Sequence, residues 1–103
     1  MILKKNIDII VPVYNEGELI LETINSINQN FQLSCNIMIC YDFDEDNTLK
    51  AIKESNLNKE NILFVKNKLK GAHGAVMTGI RESKSDYILV IPADDNYNTL
   101  NLM

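Results

Sequence analysis

Short apolar runs alternate with helically spaced apolar residues along this chain. Ile7 to Val13 is a nearly continuous β-branched run punctuated by Pro12 and Asn15, the pattern of a strand buried on both faces. Leu19, Ile20, Ile24 and Ile27 follow at helical spacing and predict an amphipathic helix from Glu16 to about Asn28. Ile37 to Tyr41 reads as a second strand, and Asp46 as the N-cap of a helix that carries Leu49, Ile52 and Lys53. Ile62 to Val65 is a third, shorter strand. Gly71 to Glu82 reads as a loop turning into a helix, with Ala75, Val76, Gly79 and Ile80 on its inner face. Tyr87 to Ile91 is a fourth strand, broken by Pro92.

The order is therefore βαβαβαβ, with connections long enough for crossover helices. It predicts a mainly parallel sheet with helices on its faces, an α/β chain of Rossmann-like three-layer α/β/α architecture. In such sheets ligands bind beyond the carboxyl ends of the strands, where the strand order reverses. The polar clusters of this sequence fall just past strand ends: Tyr14-Asn15-Glu16, Asp42 to Asp46, and Asp94-Asp95-Asn96. One shared cleft is expected.

Composition narrows the ligand. At 103 residues and 46% apolar, the chain holds one domain or part of one, with enough apolar content for a core. A formal charge of −4 argues against nucleic acid as a partner. It leaves room for a phosphate-bearing small molecule, because a bound metal inverts the local charge logic. There is no membrane segment, since no apolar run approaches the roughly 20 residues of a membrane helix, and the amino terminus lacks the form of a signal peptide. Cys35 and Cys40 are five apart on one strand, so they point to opposite faces and are expected to be free core thiols. That fits a reducing, cytoplasmic location.

Three stretches could carry chemistry. Asp94-Asp95 offers adjacent hard oxygen ligands after an apolar strand, suited to Mg²⁺ or Mn²⁺; Pro-Ala-Asp-Asp-Asn is equally good turn chemistry. Asp42 to Asp46 has the D-x-D-x-D opening of a calcium loop, but Asn47 and Lys53 stand where that loop needs Gly and Glu. Asp42 is placed to accept hydrogen bonds from a ribose or base edge, while Asp44, Glu45 and Asp46 read as capping and dipole residues. Lys70-Gly71-Ala72-His73-Gly74-Ala75 lets a loop approach a ligand or a helix approach the sheet. It is neither a Walker loop nor a dinucleotide fingerprint. His73, the only histidine, is a possible base or ligand, and otherwise a loop residue contacting substrate or backbone.

Together these segments resemble the inverting GT-A glycosyltransferases of family 2, particularly the dolichol- or polyprenyl-phosphate sugar transferase branch. Ile10-Val11-Pro12-Val13-Tyr14-Asn15-Glu16 is similar to the opening motif, and Asp42 with Asp46-Asn47-Thr48 to the second, usually V-D-D-G-S-x-D-x-T. Lys70-Gly71, Ala75, Thr78-Gly79-Ile80, Asp86-Tyr87-Ile88 and Ala93-Asp94 follow the run into the D-x-D strand. The resemblance implies binding of a nucleotide-sugar, UDP- or GDP-linked, at Pro12, Tyr14, Glu16, Asp42, Gly71, His73 and Asp94. It implies Mg²⁺ or Mn²⁺ at Asp94 and Asp95, and transfer of the sugar by direct displacement onto an acceptor such as a polyprenyl phosphate, polysaccharide or lipid.

The sequence departs from the family pattern in places. Tyr41 stands for the first Asp of the second motif, Phe43-Asp44-Glu45 for Gly-Ser-x, Pro92 for the first position of D-x-D, and His73 for a frequent glycine. In the family the acceptor half and catalytic base lie downstream of D-x-D. The expectation is thus a single donor-binding segment over 1–103, truncated after the D-x-D region, with its catalytic residues unassigned. The alternatives are a non-catalytic nucleotide-binding module and a sugar-nucleotide nucleotidyltransferase; the latter usually has a basic, Gly-rich loop after the first strand, where this chain has Tyr14-Asn15-Glu16-Gly17. Exposed sheet edges leave a homo-oligomer open.

Overall fold

A computed structural model of the chain describes residues 7–31 and 35–93. Its elements run β1 (Ile7–Pro12), α1 (Leu19–Phe31), β2 (Asn36–Tyr41), α2 (Asn47–Lys53), β3 (Ile62–Lys66), α3 (Gly71–Glu82) and β4 (Tyr87–Val90). The four strands form one sheet in the order β3-β2-β1-β4, and every pairing is parallel. The expected α/β architecture is therefore present. The chain winds outward from β1 through β2 to β3, then crosses back to place β4 on the other side of β1. The strand order reverses between β1 and β4.

The two faces of the sheet carry different packing. Ile9, Val11, Ile37 and Ile39 meet Ile20, Ile24 and Ile27 of α1 and Leu49 and Ile52 of α2 in the larger core. Each such buried aliphatic side chain contributes about 1.5–3 kcal/mol. On the opposite face Ile10, Met38 and Cys40 pack with Ala75 of α3. The alternation along β1 and β2 thus builds three layers. Cys35 lies in the first core and Cys40 in the second, so the two are buried on opposite faces and form no disulfide. Burial pushes the Cys40 thiol up to about 11, which keeps it protonated and unreactive.

Two local expectations are corrected. Helix α1 starts at Leu19 rather than Glu16, because Asn15 and Gly17 sit at φ 48° and 59°, a left-handed turn that a helix cannot include. Leu19 is consequently exposed, and Thr23 takes a buried place on the inner face. In α3 the inner face is Gly74, Ala75, Thr78 and Gly79, whereas Ile80 is exposed. The smallest residues win that face because a Cβ on Gly79 would come within 2.9 Å of the Ile10 side chain. Close approach of helix to sheet matters more here than the apolar character of one isoleucine.

The amino end of the sheet is closed by a buried carboxylate. Asp8, only 4% exposed, accepts from Ser83 Oγ at 2.6 Å, Ser85 Oγ at 2.7 Å and Asn36 Nδ2 at 3.0 Å. Burial by itself would raise its pKa. The hydrogen bonds from Ser83, Ser85, Asn36 and the Lys84 backbone outweigh that and hold the carboxyl below its ordinary value. Among the described residues, no helix is long and apolar enough to cross a membrane.

Candidate nucleotide-sugar site

At the carboxyl end of the sheet the loops do not close. They surround a cleft of about 320 Å³ at the reversal between β1 and β4. Pro12, Val13, Tyr14 and Glu16 line it from the end of β1, and Asp42 from the end of β2. Gly71, Ala72 and Ala75 of α3 form another wall, and Pro92 and Ala93 follow β4. The expected residues Pro12, Tyr14, Glu16, Asp42 and Gly71 are thus brought together. His73 is exposed on the first turn of α3 and does not line the cleft. Its place on the helical turn, rather than on a loop as the sequence suggested, turns it away from the wall that Ala72 and Ala75 form. Asp94 and Asp95 lie outside the described residues.

The β1–α1 loop owes its shape to side chains some 30 residues away. Asn15 N–H donates to Asp46 Oδ2 at 3.1 Å, Glu16 N–H to Thr48 Oγ1 at 2.8 Å, and Gly17 N–H to Asn47 Oδ1 at 2.8 Å. Asn47 N–H returns a bond to Asn15 Oδ1 at 3.1 Å. Asp46 also caps α2, its Oδ1 accepting from Thr48 N–H at 2.7 Å. The expected cap is real, and it is half of what Asp46 does. Three successive backbone donors that would otherwise form an anion cradle are already satisfied. The loop thus places Tyr14 and Glu16 on the cleft while its own amides are taken up inside the protein. Glu16 adds a local brace, its Oε2 accepting from Tyr14 N–H at 3.1 Å.

A second junction joins Asp42 to the start of α3. Asp42 Oδ1 accepts from Asn67 Nδ2 at 2.7 Å and its Oδ2 from Gly71 N–H at 3.0 Å. Asn67, 4% exposed, also donates to Gly71 C=O at 3.0 Å, while its Oδ1 accepts from Leu69 N–H at 2.9 Å and Thr78 Oγ1 at 3.0 Å. These bonds hold Lys70 at φ 60°, ψ 148° and Gly71 at φ 79°. For a lysine that backbone costs about 1–3 kcal/mol, which the Asn67 and Asp42 contacts offset. The sequence reading gave Asn67 no part. Its only signal was an amide two residues after the third apolar run.

Asp44 and Glu45 of the same loop face solvent. Asp44 pairs with Lys66 at 3.1 Å, and that hydrogen bond raises the ammonium pKa of the exposed Lys66. Tyr14 and Phe43 meet edge to face across the two loops, with ring centroids 5.6 Å apart at 67°. Thr23 Oγ donates to Ala93 C=O, tying α1 to the chain just after β4. Among the described residues, no three His, Cys, Asp or Glu side chains gather as a metal site.

The profile of glycosyl transferase family 2 matches residues 8–102, and the chain belongs to that family. Its relatives include an undecaprenyl-phosphate 4-deoxy-4-formamido-L-arabinose transferase of Proteus mirabilis, 29% identical over 94 residues that cover 85% of this chain and 28% of the relative. A chondroitin synthase of Escherichia coli is 28% identical over 89 residues, covering 86% of this chain and 13% of that protein. A Pectobacterium carotovorum protein bearing the same transferase name as the Proteus one is 26% identical over 95 residues, covering 87% and 29%. The chain spans less than a third of the length of each of these relatives.

Proposed function

We propose that this chain supplies the donor-binding part of a metal-dependent glycosyltransferase, holding a UDP- or GDP-linked sugar in the cleft at the carboxyl end of the sheet. The observation that carries the reading is the convergence of Tyr14, Glu16, Asp42 and Gly71, from three separate strand-to-helix connections, on one cleft that Pro92 and Ala93 also line. Relatives whose names describe sugar transfer to undecaprenyl phosphate, or synthesis of chondroitin, support it.

In this reading the exposed Tyr14 ring walls the base. Asp42, already fixed by Asn67 and Gly71, accepts hydrogen bonds from ribose hydroxyls or a base edge through its remaining lone pairs. Gly71, without a side chain, lets the start of α3 approach the ligand. The saturated amides of Asn15, Glu16 and Gly17 leave the diphosphate to the β4 side of the cleft, where the sequence continues from Ala93 into Asp94-Asp95. That pair supplies hard oxygen donors for Mg²⁺ or Mn²⁺, which would neutralise the departing nucleoside diphosphate. The same saturation disfavours a nucleotidyltransferase, whose phosphates would need those donors. Two buried cysteines that form no disulfide fit a cytoplasmic site of action.

Calorimetry with UDP and GDP, with and without Mn²⁺, tests the proposal. It predicts saturable binding of one of the two nucleotides that strengthens at least tenfold with the metal. Absence of binding to both at millimolar concentration would overturn the donor site. Binding indifferent to metal would remove the role given to Asp94 and Asp95 alone.

A further inference from the structure

Tyr14 is 66% exposed, an unusual position for an aromatic ring that lines a cleft. Its backbone is held by Glu16, but that bond does not fix the ring. The ring contact is Phe43, which comes from the opposite loop and is adjacent in sequence to Asp42. Edge-to-face geometry at 5.6 Å and 67° is the arrangement aromatic quadrupoles favour. Phe43 does not itself line the cleft, while Tyr14 does.

Resting on the donor-site reading above, we infer that Phe43 is a positioning residue that locks the Tyr14 ring at the cleft rim as a stacking surface for the nucleotide base. The base is a flat, unsaturated ring, and stacking on a tyrosine gains most when the tyrosine is held in one rotamer before binding. Asp42 and the residue that sets the Tyr14 ring would then be neighbours in a single loop, coupling ribose recognition to base recognition.

The aromatic contact is worth about 0.5–1.5 kcal/mol, equivalent to a roughly two- to twelvefold change in affinity. The test is calorimetric titration of whichever of UDP and GDP the wild-type chain binds, in Mn²⁺, into F43A, F43L, F43Y, Y14A and Y14A/F43A. The expected result is two- to twelvefold weaker binding for F43A and F43L, near wild-type binding for F43Y, and no further loss on adding F43A to Y14A. F43L keeps apolar bulk, so a fall shared by F43A and F43L with unchanged thermal melts separates ring positioning from folding. Wild-type affinity in F43L, or an F43A loss that persists in the Y14A background, would overturn the inference while leaving the donor site intact. A wild-type chain that binds neither nucleotide would overturn both.

Discussion

The two ends of this parallel sheet each hold a carboxylate, and the pair shows how one fold separates stability from recognition. Asp8 at the amino end is buried and takes donors from Ser83, Ser85 and Asn36, which knot the start of β1 to β2 and to the α3–β4 turn. Asp42 at the carboxyl end takes donors from Asn67 and Gly71 but remains part of a cleft wall. Both are fixed by side chains distant in sequence. Only the second faces space that a ligand can fill. A carboxylate with every neighbour inside the protein is a staple, whereas one held rigidly at the edge of a cavity is open to a ligand, which is the role proposed for Asp42.

The largest effect is expected at the staple. Asp8→Ala leaves three side-chain donors without their acceptor, a loss of about 3 kcal/mol at roughly 1 kcal/mol each, read as a lower midpoint in urea. Nucleotide affinity of the fraction that remains folded should not change. The same carboxylate shapes the acid limb. Its folded-state pKa is depressed, so its contribution is complete above the unfolded value of about 3.9 and is lost as pH falls through the folded value. Asp8→Asn should therefore flatten the dependence of stability on pH below about 4.

A smaller but double effect belongs to Asp46, which serves the cap and the cleft together. Asp46→Ala removes the N-cap of α2 and the acceptor of Asn15 N–H, costing about 1–2 kcal/mol of stability. Because the loop it releases carries Tyr14, nucleotide binding should weaken as well, in contrast with Asp8→Ala. Equal loss of stability and of affinity in both variants would erase the distinction between the two ends.

Much of the fold was legible because the strands announce themselves. The β-branched run at Ile7 and the apolar run at Ile37 read as strands, and three connections of helical length require parallel pairing. Burial was less legible. β4 reads Tyr-Ile-Leu-Val, as apolar as β2, yet all four of its residues are exposed because it is an edge strand among the described residues. In α3 the periodicity argument put both Gly79 and Ile80 on the inner face; close packing on Ile10 keeps Gly79 there, while Ile80 is exposed.

The cleft was legible from strand ends and motif order, and Pro12, Tyr14, Glu16, Asp42 and Gly71 stand together in it. What holds them was not. Asp46 is read locally as a cap two residues from Thr48, but its second partner, Asn15, is 31 residues away. Asn67 gathers bonds from the end of β2, its own loop and α3, a role no local spacing reveals.

The central claim is that ligand recognition belongs to the carboxyl end of the sheet and the Asp42 wall. Amide NMR during titration with UDP or GDP in Mg²⁺ tests it residue by residue. The account predicts that the resonances of Tyr14, Asp42, Gly71 and Ala72 move together and saturate, while those of Asp8, Asn36, Ser83 and Ser85 stay fixed. Movement confined to the amino end, or no saturable movement at Asp42 and Gly71, would contradict it.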